Sequence, residues 1–326
     1  MIKRITAALI GAVMIFTLAA CGSSGGKKDG RVSIVCTIFP AYDWVKNITE
    51  GANGAEITYL LDNGADLHSY QPTAEDILTI SDCDLFIYAG GESDKWVADA
   101  LENKRNKDMK VINMLETVGD NAKEEEVKEG MQAEAEEHEE HEAGEEEKEY
   151  DEHTWLSVRN ARKVCQAICD DLCEIDKTNK ESYQKNLDAY LKQLDLLDDD
   201  FKKLADEARQ KTLIFCDRFP FRYFTDDYGF DYYAAFVGCS AETEASFETI
   251  AFLAKKVDEL GAGTVFVIEN SDGELARSVI DNTKAKNAKT ATLYSLQSVT
   301  KEQLDSEHTY ITLMRQDLET LRAALC

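Results

Sequence analysis

Residues 177–209, KTNKESYQKNLDAYLKQLDLLDDDFKKLADEAR, carry the most regular pattern in this chain. Tyr183, Leu187, Tyr190, Leu194, Leu197, Phe201 and Leu204 recur at alternating spacings of four and three. That is one apolar stripe on a long amphipathic helix. Thr178 and Glu181 stand at the spacing of a capping box, which predicts where the helix starts. About thirty residues at ~1.5 Å each give a rod of roughly 45 Å, enough to cross two lobes. A coiled coil would repeat the pattern elsewhere, and only this segment has it. The reading is therefore a spine helix joining one lobe on its N-terminal side to another on its C-terminal side.

The flanks support two lobes of the same kind. Upstream, Val32 to Phe39 is a β-rich run ending at Pro40, Ala41 to Thr49 has a helical apolar face, and Ile57 to Leu61 is a second strand. Thr73 with Asp76 starts a helix, Asp84 to Tyr88 is a buried-type strand, Lys95 to Asn103 is helical, and Lys110 to Asn113 is a further strand. Downstream of the spine, Thr212 to Cys216, Thr264 to Ile268 and Ala291 to Leu293 read as strands, and Asp226 to Tyr233 as a turn and short strand. Phe247 to Leu260, Gly273 to Thr283 and Tyr310 to Leu325 read as helices. Alternating strands and helices imply an α/β fold of two similar lobes, each a mostly parallel sheet flanked by helices. The expected boundaries are 32–175 for the first lobe, 176–210 for the linking helix and 211–326 for the second lobe.

The N-terminus is a targeting segment. Lys3 and Arg4 precede an apolar run from Ile5 to Leu18, followed by Ala19, Ala20 and Cys21. This predicts a signal peptide over 1–20, too short in its apolar part to span a bilayer, which needs ~20 residues. Cysteine after small residues resembles a bacterial lipobox, so Cys21 becomes the lipidated first residue of a flexible tether over 21–31. The formal net charge of −27 repels nucleic acid and attracts cations. Nine cysteines show no paired CxxC spacing, so a zinc ribbon is not expected. Cys165, Cys169 and Cys173 fall on one helix face and read as small buried hydrophobes.

The chain has five histidines, and two stand in ordered-looking, apolar-flanked sequence: His68 in GADLHSYQPT and His153 in DEHTWLS. Two imidazoles far apart in sequence, each in a turn-like setting, suggest one metal site assembled by the fold. Residues 123–152 are dominated by glutamate, with His138 and His141 embedded. Such composition predicts a solvated, disordered acidic loop over about 122–150, a candidate low-affinity antenna for divalent cations. His138 and His141 are three apart, so they do not form the helical zinc-protease pair, which needs four.

Together the lipobox, HSYQPT from His68, DLFIYAG from Asp84, EHTWLS from Glu152, the long central helix and Tyr310 with Met314 resemble the metal-specific solute-binding lipoproteins of bacterial zinc and manganese ABC importers. The resemblance runs from the lipobox to the final helix. It implies two α/β lobes bridged by a rigid helix, with one metal in the cleft held by two N-lobe histidines and two C-lobe ligands. His68 and His153 match the first two. The C-lobe departs from the pattern: FCDRFPFRYF, from Phe215, lacks the usual His or Glu. Asp217 is the nearest credible ligand but needs a register shift, and Arg218 stands in the unshifted register, where a cation cannot ligate metal. No acid follows the last strand in LYSLQ, from Leu293. Glu269 is the leading replacement, with Glu242, Glu244 and Cys239 as further candidates. The resemblance implies an extracellular, lipid-anchored receptor, expected to be a monomer and not an enzyme. It would pass zinc, or else manganese or iron, to the permease and ATPase subunits of an importer. The rivals are a metal hydrolase with an open coordination position and an adhesin or scaffold that has lost metal.

Overall fold

Continuous apolar runs such as Leu85–Tyr88 and Thr264–Ile268 are the signature of strands buried on both faces, and both are centred in parallel sheets. The computed structural model describes residues 30–132, 149–240, 244–297, 299–304 and 308–326. The first sheet contains β1 (Val32–Cys36), β2 (Ala55–Tyr59), β3 (Leu85–Tyr88) and β4 (Lys110–Asn113) in the order β2-β1-β3-β4. The second contains β5 (Thr212–Phe219), β6 (Asp231–Val237), β7 (Thr264–Ile268) and β8 (Lys289–Leu293) in the order β6-β5-β7-β8. Every pairing within both sheets is parallel, and the two orders are the same, so the lobes repeat one topology.

The helices are α1 (Phe39–Ile48), α2 (Ala74–Asp82), α3 (Trp96–Glu102), α4 (Met114–Val118), α5 (Val158–Ile175) and α6 (Lys180–Glu207). They continue as α7 (Arg222–Tyr228), α8 (Phe247–Leu260), α9 (Glu274–Asp281), α10 (Lys301–Leu304) and α11 (Tyr310–Leu325). The spine is α6, 28 residues long. All seven stripe residues from Tyr183 to Leu204 are buried in the main core, which continues into both lobes. Among the described residues no helix is long and apolar enough to cross a membrane.

Three local expectations change. The Thr178–Glu181 capping box does not form: Asn179 precedes the helix without a side-chain cap. Asp176 takes over that end, accepting from Thr178 N, Asn179 Nδ2 and Tyr183 Oη. A carboxylate with three donors outcompetes a single hydroxyl. Residues 222–228, within and before the expected turn and short strand, form α7, which ends at Gly229 with a left-handed φ of 69°. Finally, the described flanks of the acidic segment are ordered. Glu125 N donates to Glu149 O, and Gln132 N donates to Ala235 O on the edge strand β6. Lys128 lies 4.0 Å over the Tyr232 ring, and Arg222 pairs with Glu126. These flanks carry Met131 and Tyr150 as well as paired charges. Residues 133–148, with His138 and His141, lie outside the described residues.

The three Cys165, Cys169 and Cys173 side chains are buried, and all eight described cysteines are free thiols. A buried carboxylate links α1 to the last helix: Asp43 accepts from Tyr310 N at 3.1 Å and Tyr190 Oη at 3.4 Å. Burial pushes the Asp43 carboxyl up to about 6, against the opposing hydrogen bonds. Below about pH 4 the group is protonated in both folded and unfolded chains. Above about pH 6 the fold must hold a buried anion, a penalty of about 3 kcal/mol from the gap to the ordinary value. Asp43→Asn should therefore lose less stability than the parent between pH 4 and 6, read from urea midpoints at both ends. Parallel pH dependences would refute it.

Candidate metal centre

In an open parallel sheet, ligands collect at the carboxyl ends of strands where the strand order reverses. The candidate residues lie there. His68 follows β2, Ser93 follows β3, Arg218 ends β5, Cys239 follows β6, Glu269 follows β7 and Gln297 follows β8.

His68 sits on a single 3₁₀ turn, Leu67–Ser69, because the Asp66 side chain caps it by accepting from His68 N at 3.0 Å. His153 precedes the turn Thr154–Leu156, and Asp151 Oδ1 accepts from its backbone N at 2.8 Å. Trp155, fully buried, donates from Nε1 to Ser295 O and so pins this turn to the second lobe.

The two imidazoles meet edge to edge, Nε2 to Nε2, at 3.3 Å, with their side chains 4% and 0% exposed. Their far nitrogens are engaged. His153 Nδ1 lies 3.0 Å from Asp151 Oδ1, and a carboxylate accepts, so Nδ1 carries the hydrogen. His68 Nδ1 lies 2.8 Å from Ser93 Oγ. Both rings thus present Nε2 toward one point, and a carboxylate behind a histidine is the arrangement that orients metal-bound imidazoles. Two lone pairs at this distance require a cation or a proton between them. Tetrahedral zinc with bonds of ~2.0–2.1 Å has ligand–ligand edges of about 3.3–3.4 Å, the spacing seen here. Without metal the proton sits on one side: burial and then the facing His153 hold His68 down at about 3. Burial opposes charge on His153 too, but Asp151, with Glu152 and Glu125, outweighs it and raises that ring.

Glu152 was not singled out as a ligand by the sequence. It ends an acidic run and reads as one more solvated charge, yet it is fully buried. Oε1 accepts from Ser93 N at 2.6 Å; Oε2 has no hydrogen-bond partner and lies 4.0 Å from His68 Nδ1. Burial pushes its carboxyl up to about 7. Gly91 makes room for it: at φ 82°, a Cβ there would fall 2.5 Å from Glu152 Cγ. Cys239 stands opposite, with its backbone N donating to Glu125 Oε1 at 3.2 Å, and burial followed by the nearby carboxylates raises its thiol. Gly238 lets this loop pass the imidazole, since a Cβ there would lie 3.0 Å from His153 Cε1. Ligand atoms of His68, Glu152 and Cys239 all lie within 4.8 Å of one another.

The C-lobe acids chosen from sequence go elsewhere. β5 carries a register shift between Phe215 and Arg218, the shift Asp217 needed, but it turns Asp217 toward β7. Its Oδ1 accepts from Arg218 N at 2.8 Å and its Oδ2 from Ile268 N at 3.4 Å. Arg218 reaches the cleft instead, pairing with Asp66 and donating to Ser240 O at 3.2 Å. Glu269 accepts from Ser295 N at 2.7 Å and Ser295 Oγ at 2.8 Å, which occupies both its oxygens. Gln297 is buried, with its Oε1 lacking a hydrogen-bond partner. Glu244 is exposed, and Cys21 and Glu242 lie outside the described residues.

Two parallel α/β lobes on one spine, with a buried imidazole pair presented by two 3₁₀ turns, define a two-lobed solute-binding protein. The model of the family described as ZnuA, zinc-uptake complex component A, periplasmic, matches residues 34–324, and the chain belongs to that family. It is 30% identical over 332 residues to the high-affinity zinc uptake system protein ZnuA of Bacillus subtilis, covering 100% of this chain and 99% of the relative. It is 29% identical over 301 residues to the zinc-binding protein AdcA of Streptococcus pyogenes, covering 90% of this chain. The match spans 56% of that relative, so the chain corresponds to little more than half the length of AdcA. Among solved structures, the Zn(II)-bound ZnuA-like domain of Streptococcus pneumoniae AdcA superposes with a TM-score of 0.70 at 26% identity, covering 91% of this chain and 99% of that one.

Proposed function

We propose that this chain is the metal-capturing subunit of an ABC importer. It takes zinc into the cleft between its lobes at His68 and His153 and delivers it to a permease driven by an ATPase subunit. The observation that carries this is the buried Nε2–Nε2 approach of 3.3 Å, with a carboxylate behind one ring. Membership of the zinc-uptake family supports the cargo. The net charge of −27 favours cation capture from outside the cell. Lipidation at Cys21 would hold the receptor at the membrane as a monomer, and no turnover is expected. Manganese is the alternative cargo if more oxygen ligands gather. Equilibrium dialysis of the purified chain against zinc should give one ion per chain; none bound would overturn the reading.

Asp151 gives a finer test. Asp151→Asn keeps the shape but removes the charge that orients His153, and partners of this kind are worth about 10–100-fold in metal affinity. Competition with a chromophoric zinc chelator should show a loss of that size. Unchanged affinity would show that Asp151 serves only the backbone of the turn.

A further inference from the structure

The second lobe lacks a ligand where one was expected. Asp217 and Glu269 are occupied with backbone and hydroxyl donors, and Arg218 holds the strand end beside His68. Yet the cleft contains a buried carboxylate oxygen without a partner, beside a thiol held by the Glu125 side chain and the Glu152 backbone. Glu152 is fully buried with Oε2 unpartnered, although an unpaired buried carboxylate oxygen is costly unless something fills its lone pairs. Cys239 comes from the second lobe, and its sulfur, the Glu152 oxygen and a His68 nitrogen lie within 4.8 Å of one another.

We propose that Glu152 and Cys239 complete the metal site begun by His68 and His153, so that the second lobe holds the cargo through a thiolate. This rests on the reading of the chain as a metal receptor and names the ligands of its site. The donor set is then two imidazoles and one carboxylate from the first lobe and one sulfur from the second. Such a set is soft enough to favour zinc over manganese, since thiolate ligands suit zinc, whereas manganese takes carboxylate and water. It also gives the lobes a single shared bond at the ion. Gly91 and Gly238 are the positions where a side chain would block this convergence, one against Glu152 and the other against His153.

Cobalt(II) substitution in the full chain tests this without any variant. The wild-type chain loaded with cobalt(II) should show a thiolate-to-cobalt charge-transfer band in the near ultraviolet. X-ray absorption of the zinc form should show one sulfur at ~2.3 Å. Cys239→Ser should lose the band and bind zinc at least about 100-fold more weakly. Glu152→Gln should keep the band and bind zinc at least about 10-fold more weakly. Metal bound stoichiometrically with no sulfur signal would overturn the thiolate while leaving the receptor reading intact. Wild-type affinity in Glu152→Gln would remove Glu152 from the set. A wild-type chain that binds neither zinc nor cobalt would overturn the receptor reading itself.

Discussion

Replacing both His68 and His153 with alanine should abolish stoichiometric zinc binding. A four-ligand zinc site is worth about 10–16 kcal/mol at neutral pH, so each ligand carries roughly 3–4 kcal/mol. At ~1.4 kcal/mol per decade, each single substitution should weaken binding by roughly 100–1000-fold, and the double variant by the product of the two. The two rings stand on turns with their own supports, the Asp66 cap for His68 and the Asp151 and Trp155 contacts for His153. Those supports use backbone atoms and neighbouring side chains, so both turns should survive the loss of the rings. Dialysis against zinc, with circular dichroism to verify folding, reads the outcome. A folded double variant that still holds one zinc per chain would sink the assignment of the imidazole pair.

The sequence made the frame of this molecule legible, together with the two imidazoles that the fold brings face to face. Lys110–Asn113, Phe247–Leu260 and Thr264–Ile268 have the bounds that their residue patterns predict. Those segments are short apolar runs or amphipathic repeats with clear punctuation, and local physics decides them. The imidazole pair was legible for a related reason: His68 and His153 are rare residue types set in turn-forming, apolar-flanked sequence. Asp217 and Glu269 were misleading because side-chain direction at a strand end depends on register. The irregularity in β5 between Phe215 and Arg218 swings Asp217 to Ile268 and Arg218 into the cleft, and no local pattern announces it. Glu152 was invisible for the opposite reason. It closes a glutamate-rich stretch, and only the fold removes it from that company. The informative sign there was Gly91, just after β3, whose conformation and lack of a side chain make the burial possible.

Phe201→Ala on the spine should cost stability on a scale comparable with the loss of a metal ligand, and should leave the site alone. Phe201 is fully buried, meeting Phe224 at 5.0 Å edge to face and Tyr228 at 5.2 Å. Truncating a buried aromatic of this kind costs about 3–5 kcal/mol. Leu196 on the same helix is 60% exposed, and Leu196→Ala should change stability by no more than about 0.5 kcal/mol. The two variants separate packing from helix propensity, since both place alanine in the same helix. The link to function runs through α7, which carries Phe224 and Tyr228 and whose Asp227 accepts from Ser157 at 2.5 Å, just beyond the His153 turn. If the spine only supports the lobes, saturating zinc should raise the stability of Phe201→Ala by the same increment as in the parent, about 2.7 kcal/mol at a hundred times Kd. A smaller increment would mean that the packing around Phe201 also holds the His153 turn in its binding geometry. The double histidine variant should show no zinc increment at all. Urea titrations of the three proteins with and without zinc therefore distinguish a passive spine from one that tunes the cleft.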